Sequence, residues 1–232
     1  MRQLLEKLIT CFKRRPFKFD QNVDLYVIFD LLVRRLIMAL RGGIKGIRVK
    51  KSGLLFLDAG CQFVIPNKIF FGKGVTIGRY CKLSGLSLSG IEFGDNVSIG
   101  DFSNVIVSTS YNNIGVKISL GHNVGVGEYS YIGGGGGVEI GSSCIIGQYF
   151  SVHPENHNFM DSTMEIREQG VSRKGVKIGS NCWIGSKVTV LDGAIVGSGC
   201  VIAAGTVVRG CYPDDVVIAG VPSRIIKSRI KE

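Results

Sequence analysis

Residues 176–208 read VKIGSNCWIGSKVTVLDGAIVGSGCVIAAGTVV. Aliphatic side chains stand at Ile178, Ile184, Val190, Val196, Ile202 and Val208, six apart without a slip. Four positions after each of the first five comes a small or β-branched residue: Cys182, Val188, Ala194, Cys200, Thr206. A period of six matches neither the 3.6 of an α-helix nor the simple alternation of a strand. It matches a chain wound as a triangular prism, one face per hexapeptide, with two inward positions per face. The glycine after the aliphatic, as at Gly179, Gly185 and Gly197, relieves corners where a Cβ would crowd or φ is positive.

Working outward, the same spacing recurs at Leu120, Val126, Ile132 and Val138, at Ile140, Ile146 and Val152, at Phe71, Ile77 and Leu83, and at Phe93, Ile99 and Val105. The expected fold is therefore all-β dominated: a left-handed parallel β-helix of about six or seven coils over residues 57–208. Residues 1–45 form a basic amphipathic helical arm, 46–210 the β-helix, and 211–232 a basic C-terminal extension. Cys61, Cys81, Cys144, Cys182 and Cys200 all occupy the inward small position, where a free thiol acts as a small hydrophobe.

Composition narrows the function. Of 232 residues 33 are glycine, but with only 5 prolines and no Gly-X-Y period collagen is excluded. The formal charge of +10 is uneven: residues 1–51 carry 13 Lys/Arg against 4 Asp/Glu, or +9, and the remainder 15 against 14, or +1. The body of the chain is thus no nucleic-acid surface. Seven cysteines without a CxxC fit free thiols in a reducing compartment. No secretory signal is expected, since charges interrupt the apolar stretch of residues 1–19. Nor is a membrane span expected at 23–40, which Asp24, Asp30, Arg34 and Arg35 interrupt.

The register fails between Val152 and Ile178, so a loop over residues 153–175 must leave the prism, carrying His153 and His157. Loops this long are seldom passive. The Gly133–Gly137 run reads as a corner with a register shift, since a phosphate cradle would need a following helix and lysine. In the arm, Leu4, Leu5, Leu8 and Ile9 share one helical face, and Leu25, Phe29, Leu32, Leu36 and Leu40 another. Two readings stand side by side: a cap over the first coil's open edge, or a basic surface resting on anionic lipid. Residues 223–231 read as a short basic helix or extension.

The hexapeptide array, Glu155-Asn-His-Asn-Phe159, Arg167-Glu-Gln-Gly170, Val176-Lys-Ile-Gly-Ser-Asn-Cys-Trp-Ile-Gly185 and Ala219-Gly-Val-Pro222 resemble hexapeptide-repeat O-acetyltransferases. The similar branch is that of bacterial capsular and lipopolysaccharide sugar acetyltransferases, related to the maltose and galactoside enzymes. The resemblance implies a homotrimer with sites between neighbouring prisms, acetyl-CoA as cosubstrate and no metal. Apart from the resemblance, the free thiols point to a cytoplasmic protein, and the basic amphipathic arm adds peripheral contact with the inner face of the membrane as an accompanying reading.

By position the resemblance assigns His157 as the base on the acceptor hydroxyl, with His153 the alternative because His-Pro resembles the maltose-type segment. Imidazole suits that role, since with a pKa of ~6.5 it can take a hydroxyl proton at neutral pH. Glu155, Asp161 and Glu165 are candidates to orient the ring. Asn156, Asn158 and Trp183 would face the acceptor cleft. Ser186, Ala204, Arg209, Gly210, Arg224 and Lys227 would bind the coenzyme, the last cations serving its 3′-phosphate. Arg209-Gly210 departs from the Thr-Lys frequent in relatives. His122, in a coil turn, reads as solvated or neighbour-contacting.

Two rivals are kept. A γ-type carbonic anhydrase would use His122, His153 and His157 as zinc ligands, but the last two are four apart rather than five. A non-catalytic solenoid scaffold would have no use for an irregular His-bearing loop. Serine acetyltransferases would show their own His signature, and nucleotidyltransferases an N-terminal βα domain, and neither is present in this sequence.

Overall fold

A computed structural model describes residues 2–13 and 16–230, without the side chains of Leu4, Leu8, Cys11, Phe12 and Lys13. The Leu4 and Leu8 side chains of the arm's first stripe are therefore not described, and Lys231 of the tail lies outside the described residues. Two helices, α1 (Arg2–Lys13) and α2 (Leu25–Lys45), precede a left-handed parallel β-helix.

The prism has three faces. Face A stacks eight parallel strands, face B eight plus a closing antiparallel one, and face C seven. Eighteen residues make a coil: Ile178 pairs with Val196 on face A, Ile184 with Ile202 on face B, and Val190 with Val208 on face C. The six-residue period thus becomes three columns of aliphatics meeting at the axis. Each such fully buried aliphatic stabilises the fold by ~1.5–3 kcal/mol. The five inward cysteines are buried. Each thiol donates to a backbone carbonyl, as from Cys81 to Gly100 at 3.1 Å and from Cys200 to Pro213 at 3.2 Å.

The stack is longer than the period suggests. It begins at Lys50 and passes the expected boundary at 210, with strands at Cys211–Tyr212 and Val216–Ala219 adding two faces of an eighth coil. Tyr212 and Ile218 pack inward there although Pro213-Asp-Asp215 interrupts the hexapeptide pattern. The tail is an extension rather than a helix: Arg224–Ser228 runs antiparallel to Val216–Ala219 and covers that edge of face B.

Helix α2 lies on the first coil, but with the opposite face inward from that suggested by its leucine stripe. Ile28, Met38 and Gly42 are buried, whereas Leu25, Phe29, Leu36 and Leu40 are exposed. The cause is a buried carboxylate. Asp58 receives Arg34 at 2.6 Å and Arg41 at 3.3 Å, so the cationic flank of the helix turns toward the prism. Arg35 adds a bond to Thr76 and stands over the Phe56 ring. At Gly42 the helix comes so close that a Cβ would lie 1.7 Å from the Leu55 carbonyl oxygen. Among the described residues no helix is long and apolar enough to cross a membrane.

Candidate active site

The loop predicted at 153–175 is an ordered hairpin rising from the corner between faces C and A. Asn156–His157 pairs antiparallel with Val171–Ser172. Beyond it, the Asn158 N–H donates to Gly170 O (3.0 Å) and its amide to Gln169 O (2.9 Å). Gln169 then closes the tip: its amide donates to Asp161 O and Met164 O, and its carbonyl accepts the Asp161 N–H. The Arg167–Gly170 motif therefore carries the organising side chain of the tip. Asn156, His157, Asn158, Phe159, Met160 and Gln169 help to line a concavity of about 640 Å³. His157 is exposed at it.

The base of the hairpin is braced on both strands. Arg173 bonds Glu155 (2.9 Å), Asn113 Oδ1 (2.9 Å) and the Ile114 carbonyl (3.1 Å). Asp192 accepts the backbone N–H groups of Lys174 and Gly175, both at 2.8 Å, and the Asn156 amide at 3.2 Å. The Gly133–Gly137 run is the expected corner, and its composition has a further cause: the outgoing chain crosses directly over it. A Cβ on Gly136 would stand 2.1 Å from Pro154 O, and one on Gly135 2.2 Å from the Glu155 carboxylate.

The three histidines occupy three different settings. His153 ends a face C strand with its ring stacked on Tyr131 at 5.5 Å. Burial and the nearby Glu155 charge push the Tyr131 phenol up. His122 belongs to a corner ladder, where its Nδ1 accepts the Asp95 N–H (2.9 Å) and its own N–H donates to Ser142 Oγ (3.0 Å). Of the candidate carboxylates, Glu155 is engaged by Arg173. Asp161 is held below the ordinary carboxylate range by bonds from the Thr163 hydroxyl and N–H. Glu165 precedes the single helical turn Ile166–Glu168. Among the described residues, no side chain of these three bonds the His157 ring.

The coenzyme candidates divide between two corners and the closing strand of face B. Ser186 and Ala204 succeed one another on the corner between faces B and C, each following a packed corner residue, Gly185 and Ala203. Arg224 pairs with Ala219 and Lys227 with Val217 on the closing strand of face B, both exposed. Arg209-Gly210 turns the corner between C and A, two coils from the hairpin, on the order of 10 Å along the axis. The Arg209 N–H donates to Ser223 Oγ, tying this corner to the tail. Trp183 is exposed on face B beside Ile145 and Val201. Within one chain it stands on the face opposite the hairpin corner, so the fold does not bring it to His157.

Similarity to known proteins decides the family. The model of the bacterial transferase hexapeptide (six repeats) matches residues 175–210. A Mycobacterium tuberculosis protein bearing an acetyltransferase name is 33% identical over 176 residues, 76% of this chain and 55% of its own length. An Escherichia coli protein named for lipopolysaccharide biosynthesis O-acetyl transfer, WbbJ, is 34% identical over 72% of this chain and 75% of its own. The chain belongs to the hexapeptide-repeat acetyltransferase family. It spans about half the length of the mycobacterial relative. The fold is shared with AntD, an N-acyltransferase from Bacillus cereus solved with coenzyme A and a dTDP-amino sugar. That likeness has a TM-score of 0.57 at 19% identity, over 82% of this chain and 89% of that one.

Two features of this family member are not among the residues singled out from sequence. Arg173, within the loop, and Asp192, at a corner of the repeat between Val190 and Val196, brace the hairpin, and no spacing marks them for that role. The second is an exposed column of rings, Tyr80, Phe102, Tyr129 and Tyr149, stacked 5.1–5.5 Å apart within 11° of parallel. All four have left-handed backbones, with φ between 53° and 60°. Stacking, worth ~0.5–1.5 kcal/mol a pair, offsets a conformation unusual for bulky residues. Its signal was present as a Gly-x-aromatic triplet in four coils, from Gly78-Arg-Tyr80 to Gly147-Gln-Tyr149.

Proposed function

We propose that the protein transfers the acetyl group of acetyl-CoA to a sugar hydroxyl in bacterial capsule or O-antigen biosynthesis, with His157 as general base. The observation that carries this reading is a histidine held on a braced hairpin, exposed at a concavity it shares with two asparagine amides. His157 takes the proton of the acceptor hydroxyl as that oxygen attacks the thioester carbonyl. The tetrahedral intermediate collapses with loss of the coenzyme A thiolate, which recovers the proton from the imidazolium. With one N–H each given to Asp192 and Gln169, the Asn156 and Asn158 amides keep a carbonyl oxygen and a second N–H suited to sugar hydroxyls.

In this reading the working unit is a homotrimer in the cytoplasm. A neighbouring chain supplies the coenzyme corner with Ser186 and Ala204, and Trp183, which a single chain keeps away from His157. Arg209, Gly210, Arg224 and Lys227 complete the coenzyme contacts. Names of the relatives support the acetyl donor and the glycan acceptor. His157→Ala is expected to lower kcat/KM by about 10²–10⁴-fold while acetyl-CoA binding, followed by calorimetry, persists. Turnover like the wild type would transfer the role to His153 or end the mechanism. Stoichiometric zinc without coenzyme binding in the same preparation would favour the carbonic anhydrase reading instead.

A further inference from the structure

Helix α2 is amphipathic in an inverted sense. Phe29, Val33, Leu36, Ile37, Leu40 and Ile44 fall within a sector of about 100°, and all are exposed, Leu36 by 63% and Ile44 by 72%. The stripe runs ~22 Å along the helix. Its own cations are turned away from it: Arg34 and Arg41 onto Asp58, Arg35 onto Thr76, and Lys45 onto the Cys61 carbonyl. An outward face so long and free of charge is unusual for a surface that meets only water.

We propose that α2 is an interfacial helix whose outward face lies on an anionic lipid bilayer. Charge complementarity selects this occupant. Residues 1–51 carry 13 Lys/Arg against 4 Asp/Glu, and with Arg34, Arg35, Arg41, Lys45 and Lys51 turned onto the protein the other 8 Lys/Arg still outnumber the acids two to one. Exposed cations flank the stripe at both ends, Lys18 before α2 and Arg48 and Lys50 after it, next to an Ile47 that is 82% exposed. A second copy docking through the same face would bring two such cationic arms together. An anionic surface instead satisfies the flanking charges while the stripe enters the acyl boundary. The helix lies on the bilayer rather than across it, since it is not apolar enough to span. The proposal is independent of which reaction the hairpin performs.

The test is sedimentation of the full chain with phosphatidylcholine vesicles containing about 30% phosphatidylglycerol, against pure phosphatidylcholine. Binding to the anionic vesicles that weakens with salt is expected. Leu36→Glu combined with Leu40→Glu should lower it about tenfold or more, with melting temperature, coenzyme binding and solution mass unchanged. Arg48→Gln with Lys50→Gln should weaken binding and flatten its salt dependence, leaving the apolar stripe intact. Absence of binding by the wild type, or undiminished binding by the glutamate variant, would overturn the proposal. A fall in solution mass of that variant would do so too, because the stripe would then be covered by a second copy.

Discussion

Asp58 is the sharpest place to test how the arm is held. Its side chain is 8% exposed and joins the first coil to α2 through Arg34 and Arg41. Burial opposes its ionisation. The bonds from Arg34 and the Ala59 N–H, with the fields of Arg34 and Arg41, outweigh that and hold the carboxyl below its ordinary range. Asp58→Ala removes both charge-assisted bonds. Stripping one partner from a fully buried pair costs ~3–5 kcal/mol. Here the arginines are 54% and 41% exposed and regain water, so about 2–3 kcal/mol is expected. For a chain of this size that lowers Tm by roughly 4–12 °C. Asp58→Asn, which keeps the shape and the acceptor for Ala59, should lose about half as much.

The pH dependence has a fixed sign. Because folding lowers the Asp58 pKa, its contribution is complete above the unfolded carboxylate value of ~3.9 and is lost as pH falls through the lower folded value. Thermal melts at neutral and acidic pH, with amide exchange across Leu25–Lys45, read both effects. An Asp58→Ala protein melting within about 1 °C of the wild type, with α2 amides equally protected, would refute the clamp.

Other consequences follow from the same geometry. Arg173→Met should lower kcat about tenfold or more with little change in acetyl-CoA affinity, because the hairpin base loses Glu155, Asn113 and Ile114 together. Steady-state and binding measurements side by side check it, and a rise in the coenzyme KM alone would count against it. Gly136→Val puts branched carbon against a carbonyl oxygen 2.1 Å from the Cβ site, so soluble yield and Tm should fall, by about 2 kcal/mol or more. In a Cys11→Ser background, a thiol reagent should label Cys211 quickly and Cys61, Cys81, Cys144, Cys182 and Cys200 only on unfolding. Burial pushes the Cys81 thiol up to about 12, so thiolate is scarce at neutral pH. Rapid labelling of five or more thiols in the folded protein would contradict the packed columns.

The repeat was legible because each inward position answers to the same local requirement. A side chain at Ile184 meets Ile146 above and Ile202 below, so six-residue spacing alone specifies its column. Where that redundancy ends, legibility ends too. Tyr212 and Ile218 fill the eighth coil without a full hexapeptide, and the period therefore stops one turn early. The loop was visible as a gap in register, and His157 as its chemistry-bearing residue. Its mates were not visible: Arg173 reaches Asn113 across 60 residues of chain, a contact no local pattern encodes.

The sequence by itself determined the prism, its buried thiols, the corner glycines and the position along the chain where function leaves the repeat. These are properties of neighbours at fixed spacing, and spacing survives in one dimension. Only the tertiary structure decided which side of α2 faces inward. A helical wheel displays a leucine stripe and a cationic flank but cannot say that a buried carboxylate at Asp58 waits for the flank. Likewise it placed Trp183 and the Ser186–Ala204 corner away from His157 within one chain. Three faces of a prism point in directions about 120° apart whatever residues they carry, so side chains close in sequence pattern can be turned from one another by geometry alone.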